Sequence, residues 1–80
     1  MHRAIIINDE PVFRIHYRYN SVFEQLNGAD VHKLIMSLFA YVEDGTIPDF
    51  SDNDTLKILF SVMQWDIDYD WESENSEAGE

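Results

Sequence analysis

The apolar positions change period along the chain. Ala4-Ile5-Ile6-Ile7 is a largely β-branched run that predicts an extended segment. Asn8-Asp9-Glu10-Pro11 reads as a turn and a helix start, with acids ahead of a proline. Two templates then compete. Phe13, Ile15, Tyr17 and Tyr19 alternate as in a strand, whereas Val12, Ile15, Tyr19, Val22, Phe23 and Leu26 recur at helical spacing. The alternation stops at Tyr19 while the helical spacing runs on for about four turns. A helix is therefore expected over 12–26, stopped by Asn27-Gly28.

Asp30 is expected to cap a second helix, whose stripe is Val31, Leu34, Ile35, Leu38, Phe39 and Val42. Asp44-Gly45 closes it, and Pro48 prevents a restart. Ser51-Asp52-Asn53-Asp54 has the spacing of a capping box and opens a third helix. Its main stripe is Leu56, Leu59, Phe60, Met63 and Ile67. A second stripe, Ile58, Val62, Trp65 and Tyr69, lies well round the same cylinder. Two readings follow. The third helix is wedged centrally between the first two helices and the Ile5–Ile7 segment, or Trp65 and Tyr69 face a partner. Residues 73–80 carry almost no apolar content and are expected to be a solvated tail.

The expected fold is thus all-α: a three-helix bundle with a short extended N-terminal segment and an acidic C-terminal tail. Residues 1–11 form the extended segment, 12–72 the three-helix domain and 73–80 the tail. A lone strand at Ile5–Ile7 leaves backbone groups unpaired. It must lie on the bundle with water as its partner, pair with a second copy in a homodimer, or add to another protein's sheet edge.

Charge sharpens the picture. The 80 residues hold 16 acids against 5 bases, a net of −11. Residues 1–42 are balanced, with Asp9, Glu10, Glu24 and Asp30 against Arg3, Arg14, Arg18 and Lys33. All the excess sits in 43–80, where Lys57 is the sole base. Such a balance argues against direct binding of nucleic acid or anionic lipid. With no cysteine, disulfides, zinc-thiolate sites and cysteine nucleophiles are excluded, and a reducing cytoplasm is favoured. No run has the pattern of a signal peptide or the roughly 20 apolar residues of a membrane span.

Phe13, Tyr17, Leu26, Leu34, Tyr41, Asp44-Gly45, Pro48, Phe60 and the ending Ile67-Asp68-x-Asp70 follow one another in a recognisable order. Over residues 13–72 the chain resembles a family of short phage and prophage proteins known only as a helical domain of unknown function. Its most specific part is Tyr41-x-x-Asp44-Gly45-x-x-Pro48 followed by Phe60. The resemblance implies an all-helical fold and a phage origin, and it carries no activity. The chain departs from the family in having no Lys or Arg between Asp66 and Glu72, and in the Ala4–Ile7 run, which looks like an addition.

The acidic end is the strongest candidate site. Asp66, Asp68, Asp70 and Glu72 crowd the end of the third helix, and Glu43, Asp44, Asp52 and Asp54 lie before and at its start. Acids at a helix C-terminus oppose the macrodipole at about 0.3–1 kcal/mol each. The Asp66/Asp70 pair adds a few tenths of a kcal/mol of repulsion. A function that rewards this cost is mimicry of a nucleic-acid backbone. Acids one turn apart advance about 6 Å, against about 3.4 Å per phosphate on a DNA strand. Trp65, Tyr69 and Trp71 would anchor on a partner's arginines. On this reading the chain is a phage-type inhibitor acting in the bacterial host cytoplasm. It would plug the basic cleft of a defence nuclease such as Cas9, an anti-CRISPR role. The alternative is a non-enzymatic accessory or adaptor module of phage replication or transcription, monomeric or dimeric, whose charge is incidental.

Other chemistry finds little support. Asp66-x-Asp68-x-Asp70 with Glu77 imitates a calcium loop, but Trp71 stands where that loop needs glycine. His2, His16 and His32 lack a second ligand at helical spacing, so no metal is expected, and His16 is expected on a helix surface. No nucleophile elbow or glycine-rich phosphate loop is present, so neither an enzyme nor a cofactor is expected. Arg14 and Arg18 either form a small basic patch or pair within the fold with Glu10, Glu24 or the acidic half.

Overall fold

A computed structural model describes residues 2–78, with side chains from His2 to Glu74. It is mostly helical, with a small sheet at its start. The elements are β1 (Ile5–Ile7), β2 (Glu10–Val12), a 3-10 turn (Tyr17–Tyr19), α1 (Asn20–Gln25), α2 (Gly28–Asp44) and α3 (Asp54–Ala78). No helix among the described residues is long and apolar enough to cross a membrane.

The first correction concerns residues 8–19. Asn8-Asp9 does not start a helix. Both residues have positive φ, 52° and 64°, the signature of a type I′ two-residue hairpin loop. β1 and β2 pair antiparallel in the register Ile5↔Val12, Ile6↔Pro11 and Ile7↔Glu10. The fold is therefore not purely α, and the strand at Ile5–Ile7 finds its partner within its own chain. Pro11 is tolerated because β2 is an edge strand in a two-stranded sheet.

Of the helix expected over 12–26, only Asn20–Gln25 is α-helical. Residues 13–16 have no regular structure, and His16 has extended backbone, φ −69° and ψ 142°. The apolar residues of this stretch still do part of the expected work. Tyr19 is buried, and Phe13, Phe23 and Leu26 pack against the core. Ile15 and Tyr17 are exposed.

The two long helices follow their stripes closely. Leu34, Leu38, Tyr41 and Val42 of α2 meet Leu56, Phe60, Met63 and Ile67 of α3 in one core. Leu34 and Leu38 are wholly buried. Truncating either to alanine would cost about 2–5 kcal/mol, comparable to the whole stability of a domain this size. Phe39 departs from the expected stripe. It turns half out of the core and meets Phe13 edge-on, ring centres 5.0 Å apart.

The caps also shift. Asn27, not Asp30, caps α2: its side chain accepts from the Asp30 backbone N–H at 2.8 Å. Asn53, rather than Ser51, caps α3 by accepting from the Leu56 N–H at 3.1 Å. Gly45 closes α2 as expected, with φ 81° and its N–H donating to the Tyr41 carbonyl. The His2 and Arg3 N–H groups donate to the Val42 carbonyl. The start of the chain thus satisfies a carbonyl that the end of α2 leaves open. The tail is corrected too: residues 73–78 continue α3, and 79 and 80 lie outside the described residues.

Asp9 sits in left-handed backbone that glycine adopts without strain. Asp9→Gly should raise stability by about 0.5–1 kcal/mol in urea unfolding. A loss of stability would show that the loop is not the type I′ turn described here.

Candidate interaction surface

Two faces of α3 carry its candidate functional residues, and the protein uses them differently. The acids at 66, 70 and 74 recur every four residues and so form one ridge, about 6 Å per step. The bases at 14, 16 and 18 recur every two residues. Arg14 and His16 lie in irregular chain and Arg18 in the 3-10 turn, where two residues span at most about 6.6 Å. The two rows run antiparallel and match. Arg18 donates to Asp66, His16 Nε2 lies 2.9 Å from Asp70, and Arg14 donates to Glu74 at 3.3 Å.

The contacts are most enclosed at the Asp66 end. Asp66 is only 4% exposed, and it accepts from both the Tyr19 hydroxyl and Arg18. A hydrogen bond to a buried carboxylate such as this is worth about 1.5–3 kcal/mol. The Arg14–Glu74 pair is exposed on both sides, and such pairs contribute less than about 1 kcal/mol.

Asp68 points away from this ridge, as its two-residue offset on a helix requires. It accepts from Arg3 Nε at 3.1 Å and from the Tyr41 hydroxyl. The Arg3 guanidinium also lies over the Trp71 ring, 4.3 Å from its centre. Trp71 is half-buried and engaged in this way, so the expectation that it anchors a partner does not fit its place. His16 likewise sits in this row of contacts, hydrogen-bonded to Asp70, rather than on a helix surface. Arg14 and Arg18 pair with the acidic half, as one of the two readings had it.

The three aspartates imitating a calcium loop lie on a continuous helix and point to different partners. Among the described residues no group of three or more His, Asp or Glu side chains could hold a metal ion.

The remaining acids on the candidate list stay on the surface. Glu43, Asp44, Asp52, Asp54 and Glu72 are all exposed. Asp44 accepts from the Thr46 hydroxyl and backbone N–H, which holds its carboxyl below the usual range. Asp54 lies in the first turn of α3, where the helix dipole favours it.

The second stripe of α3 is bare. Ile58, Val62, Trp65 and Tyr69 are 64%, 44%, 64% and 58% exposed. Trp65 and Tyr69 stack with ring centres 5.6 Å apart and planes at 21°. The helix is therefore not covered on all sides. Its N-terminal neighbours meet the acids and Trp71 and leave this stripe to solvent. A separate apolar groove of 230 Å³ lies between Ala4, Pro11, Val12 and Phe13 and the Phe39, Val42 and Glu43 side of α2. Glu43 is the one ionisable group in its wall.

Fold and surface together define a small, mostly helical domain with one long helix exposed along an apolar stripe. The chain belongs to a family of unknown function, DUF6291, whose model matches residues 12–79. This is the kind of family that Tyr41-x-x-Asp44-Gly45-x-x-Pro48 and Phe60 pointed to. The match begins at the last residue of β2, so β1 and the hairpin turn lie outside it. No curated protein and no solved structure matches the chain.

Both acceptor carboxylates leave a mark on their tyrosines. Burial, reinforced by the bond to Asp66, raises the Tyr19 phenol above its ordinary value of 10.0. Burial and the bond to Asp68 do the same for Tyr41. Folding therefore favours the neutral phenols. That contribution is complete below about pH 10 and is lost as pH rises through the raised values. In a tyrosinate absorbance titration, Tyr19→Phe and Tyr41→Phe should each remove part of the late-titrating signal. Loss of signal that titrates at the ordinary value would contradict these contacts.

Proposed function

We propose that the chain is a non-enzymatic helical interaction module, an accessory or adaptor protein of phage origin that works in the bacterial host cytoplasm. The observation that carries this reading is the bare stripe Ile58, Val62, Trp65 and Tyr69. Large apolar side chains aligned on one helix face and rimmed by polar residues mark a protein-binding surface. The stacked Trp65–Tyr69 pair is suited to be its anchor, because aromatic residues dominate the energy of such surfaces.

Inhibition of a host defence nuclease by DNA mimicry is the second reading, and one observation favours it. Glu43, Asp44, Asp52, Asp54 and Glu72 remain on the surface of a chain with net charge −11. The geometry supports it less well than the first. Asp66, Asp68 and Asp70, the centre of the expected decoy, already have Arg18, Arg3 and His16 as partners. A basic cleft would have to displace those side chains before it could use the acids.

Pull-down from bacterial lysate with excess duplex DNA as competitor separates the two. A partner held by the wild type, lost with Trp65→Ala and unmoved by DNA is the expected result. A partner released by DNA and still held by Trp65→Ala would overturn the adaptor reading in favour of the decoy.

A further inference from the structure

We propose that the occupant of the outer face of α3 is a cationic amphipathic helix of another protein. This rests on the reading of that face as the docking surface and adds the chemistry of its partner. The stripe from Ile58 to Tyr69 covers about 16 Å of helix. Its i, i+4, i+7, i+11 spacing fits the apolar ridge of a partner helix in the helix-in-groove mode, and a partner of about five turns spans the acids at both ends.

Charge selects the kind of helix. Asp54 and Glu72 are separated by about five full turns and so lie on one line along α3, bracketing the stripe at its two ends. Both are exposed, and among the described residues neither is held in an ion pair. Asp66, Asp68, Asp70 and Glu74 are held by Arg18, Arg3, His16 and Arg14. Among the described residues Asp54 and Glu72 are not held in this way. Lys57, the single base of α3, follows Asp54 by three residues and is turned about 60° round the helix from the line of the two acids, away from the stripe. The flat face of the Trp65–Tyr69 stack would receive an arginine or lysine of the partner as well as its apolar residues.

A second copy of the chain fits poorly by the same argument. Two α3 faces set antiparallel would place Asp54 against Glu72, and set parallel would place each against itself. Each protomer would also bring a net charge of −11. Like charges at close quarters oppose that pairing.

The test uses the full chain and short fluorescein-labelled peptides sharing one leucine stripe, with lysine, glutamine or glutamate at the polar positions. A scrambled lysine peptide controls for charge alone. In fluorescence anisotropy the lysine peptide should bind about 10-fold tighter than the glutamine one, and the glutamate and scrambled peptides more weakly still. Trp65→Ala should weaken the lysine peptide about 10-fold. Asp54→Asn combined with Glu72→Gln should bring it down to the glutamine level. If all three patterned peptides bind alike and depend on Trp65, the face is a docking surface but the cationic partner is wrong. If no peptide depends on Trp65, the docking reading fails with it. Light scattering that shows a dimer dispersed by Val62→Lys would assign the face to a second copy and overturn the proposal.

Discussion

The arrangement of this protein depends on a match between two repeats of different period. Bases at every second residue of a stretch without α-helix, Arg14 and His16 in irregular chain and Arg18 in the 3-10 turn, lie against acids at every fourth residue of α3, Glu74, Asp70 and Asp66. Four helical residues advance about 6 Å, a distance that two residues of open chain can span. If 12–26 were helical, Arg14 and Arg18 would share one face and His16 would point away from both. The row of contacts can form only if the segment is not α-helical. Its backbone is therefore shaped from a distance, by residues 48 to 60 positions away in the chain.

The same match accounts for the acids at the end of α3. Taken alone, carboxylates there oppose the helix dipole and repel one another. Against the neighbouring elements, three of them meet arginines, Asp70 meets the His16 ring, and Asp66 also accepts from the buried Tyr19 hydroxyl. The balanced first half and acidic second half of the sequence are thus partly one structure folded onto itself. The electrostatic cost that suggested a target elsewhere is offset inside the chain. The apolar stripe of α3, by contrast, has no such partner among the described residues and is the proposed docking surface.

Much of this was legible. The α2 and α3 cores follow the periodicity of Leu34, Leu38, Leu56, Phe60, Met63 and Ile67, and Gly45 ends α2 where Asp44-Gly45 said it would. The exposed stripe was visible too, although periodicity cannot say whether a second apolar face is covered. What the pattern hid is the stretch from Asn8 to Tyr19. An Asn-Asp pair lacks the glycine that announces a type I′ turn. Phe13, Ile15, Tyr17 and Tyr19 satisfy strand and helix templates nearly equally. The deciding signal was the alternation of Arg14, His16 and Arg18, whose meaning appears only beside the four-residue spacing of Asp66, Asp70 and Glu74. Burial of Asp66 had no local sign, because acids at such a position are normally solvated.

The most direct test of this account is the backbone of residues 13–16 in solution. Cα chemical shifts measured by NMR on the intact chain should be non-helical there and helical from Asn20 to Gln25. Replacing the acids by Asp66→Asn, Asp70→Asn and Glu74→Gln together should move residues 13–16 towards coil or helix. An unbroken run of helical shifts from Val12 to Leu26 in the wild type would contradict it.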